Sequence, residues 1–263
     1  SMLLSVNQLF RTFGTVPALT DVNFTLDSGE VMGVVGQRGA GKSTLFHILG
    51  GVQTPTKGDI VFDGESVTLH SVLQAQRLGI FAVYQYRQLL DNASVLHNIF
   101  LGREIRQPRL LGILPHDRAM VKRARALVRM YELAPDLLQQ HVGDLADEQR
   151  QVVALARAVC HPHSTRLLLL DNALEALSFG RQQILLKHIA QLATQGVAVI
   201  VSSDDLNHIF AVTDTILVLY QGQQIALRRT SETTPREIVE LIVGTKRRER
   251  VTPIIWAFEN YYQ

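Results

Sequence analysis

The sequence holds a single cysteine, Cys160, among 263 residues. One thiol cannot build an intrachain disulfide framework, and the chain fits a reducing cytosol. No apolar run approaches the roughly 18 residues that a membrane-spanning helix needs. The longest runs, such as Leu167–Leu170 and Ile216–Tyr220, have the length of buried strands. No basic patch followed by an apolar stretch opens the chain, so no secretory signal is visible, and Ser1 ahead of Met2 reads as an added residue. An excess of charge is missing as well. The 26 Lys and Arg against 24 Asp and Glu leave a formal +2, which makes no electrostatic case for nucleic acid. Eighteen glycines and eight prolines are too few for a collagenous or disordered chain. What remains is a chain 46% hydrophobic and long enough to bury a core, as one large domain or two small ones. A soluble cytoplasmic protein is expected.

The apolar pattern divides the chain. Leu3–Leu9 and Ala18–Leu26 alternate like strands, and Asp27-Ser28-Gly29-Glu30 is the turn that follows. Val31–Val35 is continuous and β-branched, the pattern of a strand buried on both faces. Thr44–Leu49 is helical in character, Gly58–Phe62 reads as a strand ending in the tight turn Asp63-Gly64, and Gly79–Tyr84 as another buried strand. From Tyr86 to about Gln140 the signal changes to helix, with an arginine-rich amphipathic helix over Arg118–Leu133 whose charged face is solvated. Strands and helices then alternate again: helix Glu148–Val159, strand Arg166–Leu170, helix Arg181–Gln195, strands Val197–Ser202 and Ile216–Tyr220. Such alternation implies a parallel sheet covered by helices on both faces, with a helical insertion inside an α/β core. The basic run Lys246–Arg250 reads as a solvated terminus.

One motif carries chemistry. Gly36-Gln37-Arg38-Gly39-Ala40-Gly41-Lys42-Ser43-Thr44 matches G-x-x-x-x-G-K-[ST] in full, between an apolar strand and an apolar helix. Glycines let successive N–H groups turn toward phosphate oxygens, and the helix N-terminus adds partial positive charge. Lys42 would neutralise the β- and γ-phosphates, and Ser43 would offer its hydroxyl to Mg²⁺. Leu167–Leu170 ends in Asp171, a carboxylate at a strand end where ligands gather in open α/β sheets and where Mg²⁺ is held through water. ATP and Mg²⁺ are the expected cofactors.

With these residues in place, the sequence resembles the ATP-binding subunits of ABC transporters, the carbohydrate-import branch in particular, over about residues 3–244. The resemblance implies a P-loop (RecA-like) α/β core with an N-terminal antiparallel β subdomain, a helical subdomain at about 86–140, and a tail over 245–263. Arg11-Thr12-Phe13-Gly14 with Ala18-Leu19 resembles the segment whose aromatic ring stacks on adenine; Phe13 either does so or packs as plain core. Val83-Tyr84-Gln85 resembles the Q-loop, where the glutamine reaches Mg²⁺. The stretch from Ser94 to Glu104 is similar to the entry of the helical subdomain in sugar importers, and Asp214 with Leu217–Gln223 to the closing strand and turn. The resemblance further implies a head-to-tail pair of ATP-binding chains (homo- or heterodimer) on membrane permease subunits, served indirectly by a periplasmic or surface solute-binding protein, at the inner face of the membrane. The end at Gln263 favours a stand-alone subunit over half of a tandem fusion.

Positions tied to hydrolysis depart from the family. Asn172 stands at the general-base position, followed by Ala173 and Leu174 in place of Pro-Thr. An amide cannot take a proton from water, and losing a general base costs roughly 10²–10⁴ in rate. The signature, Leu-Ser-x-Gly-Gln in the family, reads Leu145-Ala146-Asp147-Glu148-Gln149. Ala146 lacks the hydroxyl, and Glu148 with Asp147 is expected to present an acidic face: a carboxylate about 5 Å from a phosphate charge is repelled by about 3 kcal/mol at an effective ε of about 20. The switch histidine is replaced by Asp204, with Ser203 as the second choice, and His208 is expected on a helix surface. Two readings follow, a transport ATPase with weak intrinsic hydrolysis, or a non-hydrolysing regulatory or structural partner of a complete chain. A small-molecule kinase fails to account for the segment from Ser94 to Glu104.

Overall fold

The computed structural model describes residues 1–84, 89–100, 118–160 and 165–243. Its strands are β1 (Met2–Phe13), β2 (Val16–Asp27), β3 (Val31–Val35), β4 (Lys57–Phe62), β5 (Glu65–Val67), β6 (Ile80–Val83), β7 (Leu167–Asp171), β8 (Ala198–Ser202), β9 (Thr215–Tyr220) and β10 (Gln223–Arg229). Its helices include α1 (Lys42–Leu49), α2 (Val72–Arg77), α3 (Val95–Phe100), α4 (Arg118–Met130), α5 (Asp147–Val159), α6 (Phe179–Thr194) and α7 (Leu206–Val212).

The strands lie in the order β5-β4-β1-β2-β10-β9-β3-β8-β7-β6. From β9 to β6 every neighbour is parallel, and β10 returns antiparallel on β9. The wing β5-β4-β1-β2 is antiparallel and joins the core through the parallel pairing of Gln223 in β10 with Thr20 in β2. All residues of β3, β7 and β8 are buried. Their continuous apolar composition fits strands covered on both faces. Alternate residues enter two separate cores: Val31, Val35, Leu168, Leu170, Val199 and Val201 pack with the α3–α7 side, while Met32, Val34, Leu167, Leu169, Ala198 and Ile200 pack with α1 and the wing. The expected parallel sheet with helices on both faces is therefore present.

Some boundaries differ from expectation. α4 stops at Met130 rather than Leu133, because Glu132 takes a left-handed φ of 57° that ends the helix. Its buried face is Ala124, Leu127, Val128 and Tyr131, and Met130 points outward, 40% exposed. The short helix α2 carries no strong period and escapes sequence reading, whereas α3 falls in the stretch expected to be helical and α7 carries His208, expected on a helix. The Asp63-Gly64 turn is as expected, with φ of 55° and 82° at its two residues, a type I′ hairpin. The tail 245–263 lies outside the described residues.

Candidate nucleotide-binding site

The C-terminal ends of β3, β7 and β8 lie side by side and build the site. β3 runs into the glycine-rich loop, and α1 leaves it from Lys42. Gly41, ahead of that helix, has φ of 102°, and a Cβ there would meet the Ala18 carbonyl oxygen at 2.7 Å, so only glycine fits. Gly39, at φ 82°, instead faces open space. A cavity of about 750 Å³ opens over this loop, lined by Arg38 through Thr44, by Pro17, Ala18, Gln221 and Gly222 on one rim, and by Asn172 and Asp204 on the other. That volume lies in the range of small-molecule and cofactor sites.

Lys42 is buried at the floor. Its ammonium donates to the Gly36 carbonyl and to the Gln37 carbonyl at 3.3 Å. Burial lowers its pKa from the ordinary lysine value, and the charges of Asp204, Asp171 and Glu175 act in the opposite direction. Ser43 is exposed in the first turn of α1. Asp171 is buried at the end of β7, level with Ser202 of β8. Ser202 Oγ donates to Asp171 Oδ1 at 3.0 Å, with Asn172 Oδ1 as the alternative acceptor at 3.2 Å, and itself accepts from the Asn172 N–H at 3.0 Å. Asn172 has φ of 50°, a left-handed conformation that asparagine tolerates. Cationic loop, helix N-terminus and oxygen donors together suit a polyphosphate with a hard divalent cation. Ser43 and Asp171 would hold that ion, which would neutralise phosphate charge when bound.

A model of the ABC transporter family matches residues 19–175. The chain belongs to the ABC transporter family. Membership implies nucleotide binding. The chain is 34% identical to a xylose import ATP-binding protein of Photobacterium profundum over 250 residues, 94% of this chain and 48% of that protein. It is 33% identical over 244 residues to a xylose/arabinose import ATP-binding protein of Sulfolobus acidocaldarius, covering 93% and 95%. The chain thus spans about half the length of the first of these relatives and nearly all of the second. Among solved structures, the ADP conformation of an ATP-binding cassette from an ABC transporter superposes with a TM-score of 0.76 at 22% identity, covering 93% of this chain and 99% of that one. The fold is the P-loop cassette of ABC ATPases.

The structure of this ABC-family chain brings together Arg38, Gly39, Ala40, Gly41, Lys42, Ser43, Thr44, Asn172 and Asp204 around one cavity, with Gly36 and Gln37 holding Lys42 beneath it. Gln85 lies outside the described residues. Phe13 is not plain core. It is 43% exposed at the end of β1, with the Arg11 guanidinium 4.6 Å over its ring, and it does not line the cavity. Pro17 was not singled out by sequence, and Gln221 was named only within the closing strand and turn Leu217–Gln223, with no place at the cavity.

The altered signature sits where α5 begins. Ala146 is the N-cap residue and has no side-chain oxygen; only the return bond is made, from the Ala146 N–H to Gln149 Oε1 at 3.0 Å. Leu145 is buried and Asp147 exposed. The expected acidic face needs correction at Glu148. Its carboxylate accepts from the Ser178 N–H at 2.7 Å and pairs with Arg181 at 2.7 Å. The Ser178 hydrogen bond, with Arg181 adding to it, holds its pKa below the usual glutamate value. Glu148 is thus a compensated charge folded onto its own chain, not an unpaired anion. Two amino acids at separate positions, Glu148 and Arg181, make this pair, so neither alone announces it.

His208 also departs from expectation. It is buried, and its Nδ1 lies 3.0 Å from Ser203 Oγ. The Ser203 hydroxyl donates to Glu175 Oε1 at 3.0 Å, which leaves its oxygen to accept from His208 and from the Asp205 N–H at 3.2 Å. Glu175 Oε1 also accepts from the Asp204 N–H at 2.9 Å. Glu175 is the residue missed by sequence reading: it ties the loop after β7 to the loop after β8.

Proposed function

We propose that this chain is the ATP-binding subunit of an ABC-type sugar importer, binding MgATP at the phosphate loop and turning it over slowly. The observation that carries the reading is the cavity over Arg38–Thr44, with the buried Lys42 at its floor and Asp171 at the neighbouring strand end. Phe13, Gly36 through Thr44 and Gln85 are the proposed nucleotide contacts, and Ser43, Gln85 and Asp171 the proposed Mg²⁺ set. Identity to xylose and xylose/arabinose import proteins over more than nine-tenths of the chain supports pentose-type sugars as cargo. The proposed partners are a second ATP-binding chain and membrane permease subunits, which place the protein at the inner face of the membrane. No described helix is long and apolar enough to cross a membrane. The division into a cassette over 1–244, with an inserted helical segment at about 86–140, belongs to the same proposal.

Slow turnover rests on Asn172, whose amide oxygen lies by the Ser202 hydroxyl and has no proton-accepting capacity for water. The same observation supports a second reading, in which the chain serves as the non-hydrolysing half of a heteropair. ATP turnover and sugar uptake in vesicles carrying the permease, with and without this chain, test both. Uptake that needs this chain and its Lys42 supports the first reading. Uptake that needs the chain but survives Lys42→Ala supports the second, and uptake indifferent to the chain removes both. Turnover above about 1 s⁻¹ by the chain alone, within the ordinary enzyme range, contradicts slow hydrolysis.

A further inference from the structure

Asp204 shares the cavity with the phosphate loop, and the sheet shows at which end. β7 and β8 are adjacent parallel strands, with Asp171 in register with Ser202, so residue 204 emerges beside the proposed metal carboxylate. The opposite rim, Pro17, Ala18, Gln221 and Gly222, lies toward β2 and the β9–β10 turn. A phosphate loop holds the terminal phosphates near its lysine and metal groups. Asp204 therefore stands at the end of the cavity where a third phosphate would sit, and the base end is the other rim.

No hydrogen bond or ion pair among the described residues engages that charge, which acts on the buried Lys42 that would hold the phosphates. Asp204 is exposed. The backbone that carries it is fixed on both sides. Its own N–H is held by Glu175 Oε1 at 2.9 Å, and the next N–H by Ser203 Oγ at 3.2 Å. Asp205 then caps α7, accepting from the Asn207 N–H at 2.8 Å. The Asp204 N–H is thereby occupied and cannot turn to a phosphate oxygen. An ionised carboxylate with its amide already used offers a third phosphate repulsion and no donor.

We infer that Asp204 makes this site select a nucleoside diphosphate over the triphosphate. This rests on the cavity being the nucleotide site. Calorimetric titration of the full chain with MgADP, MgATP and the β,γ-imido analogue tests it. The expected result is MgADP binding about tenfold more tightly, equivalent to about 1.4 kcal/mol. Because Asp204 is exposed, the preference should shrink as salt is raised. Asp204→Asn should bring the two affinities within about threefold of each other, and Asp204→His should favour the triphosphate. Equal affinities in the unaltered chain, or a preference that survives Asp204→Asn, overturns the inference while leaving the site intact. If neither nucleotide binds, the assignment of the cavity fails instead.

Discussion

Tyr131, at the turn after α4, meets His188 of α6 in the interior, its hydroxyl 3.0 Å from the imidazole Nδ1. The pair joins the turn after α4 to α6. Arg181, two turns earlier on α6, reinforces the seam by donating to the Tyr131 carbonyl at 2.8 Å. Burial holds the His188 pKa below its ordinary value of 6.5, because the charged ring would lose hydration there.

A pH dependence follows from that depression. The unfolded chain takes up a proton near 6.5 that the folded chain does not, so His188 contributes stability above that pH and loses it as the pH falls toward its folded value. Thermal unfolding scanned from pH 7.5 to 5.5 should show a falling Tm. His188→Gln should flatten the profile over that interval. The carboxylates held low in the fold, Glu148 among them, act at more acidic pH and leave this window clear.

Removing the lysine should abolish ligand stabilisation. At a nucleotide concentration one hundred times Kd, the unaltered chain gains about 2.7 kcal/mol. For a chain of this size that is a rise of roughly 5–10 °C in Tm. Lys42→Ala should show no rise with MgADP or MgATP, checked by differential scanning fluorimetry with circular dichroism to establish folding. A mutant that still shifts with nucleotide would mean that Lys42 does not hold phosphate.

Restoring one carboxylate should not restore hydrolysis. Asn172→Glu returns the group whose absence costs roughly 10²–10⁴ in rate. Ala146 and Asp204 remain, so phosphate release from the single variant should rise less than about tenfold. Ala146→Ser and Asp204→His added to it should raise the rate further. Full activity from Asn172→Glu alone would show that the other two positions cost little.

The N-cap of α5 can be improved. Ala146 has the extended backbone of a cap, φ −66° and ψ 155°, but no oxygen to offer. Ala146→Ser should stabilise the chain by about 1 kcal/mol, read as a higher denaturation midpoint at constant m-value.

The Glu148–Arg181 pair should be measurable as a coupling. Both side chains are largely covered, 28% and 19% exposed, so solvent screens them less than a surface pair. A double-mutant cycle with Glu148→Ala and Arg181→Ala should give roughly 0.5–1.5 kcal/mol of interaction energy. Each single substitution also strips a second bond, Arg181→Ala the one to the Tyr131 carbonyl and Glu148→Ala the one from the Ser178 N–H, and the cycle separates these from the pair.

The phosphate loop was legible in the sequence because its chemistry demands contiguous residue types, and Val31–Val35 and Leu167–Asp171 were legible because strands buried on both faces leave unbroken apolar runs. The parts that escaped are assembled from residues far apart. Glu175 reaches Ser203 and Asp204, residues 28 and 29 positions further along the chain. Neither a propensity nor a period marks such a bond. The acidic face expected of Glu148 with Asp147 misses the ion pair for the same reason: the partner, Arg181, sits on the next helix. His208, expected on a helix surface, is instead buried beside the Ser203 hydroxyl, which in turn bonds Glu175, a contact no local pattern marks.

The wing meets the core sheet at the Thr20–Gln223 rung, reinforced by the Thr20 N–H on the Gly222 carbonyl at 2.8 Å. Pro17 and Ala18 come from one side of that junction and Gln221 and Gly222 from the other. A guest resting on those four residues acts as a rivet through two plates, so filling the cavity should slow amide exchange along the edge of β2 as well as in the loop beneath the guest.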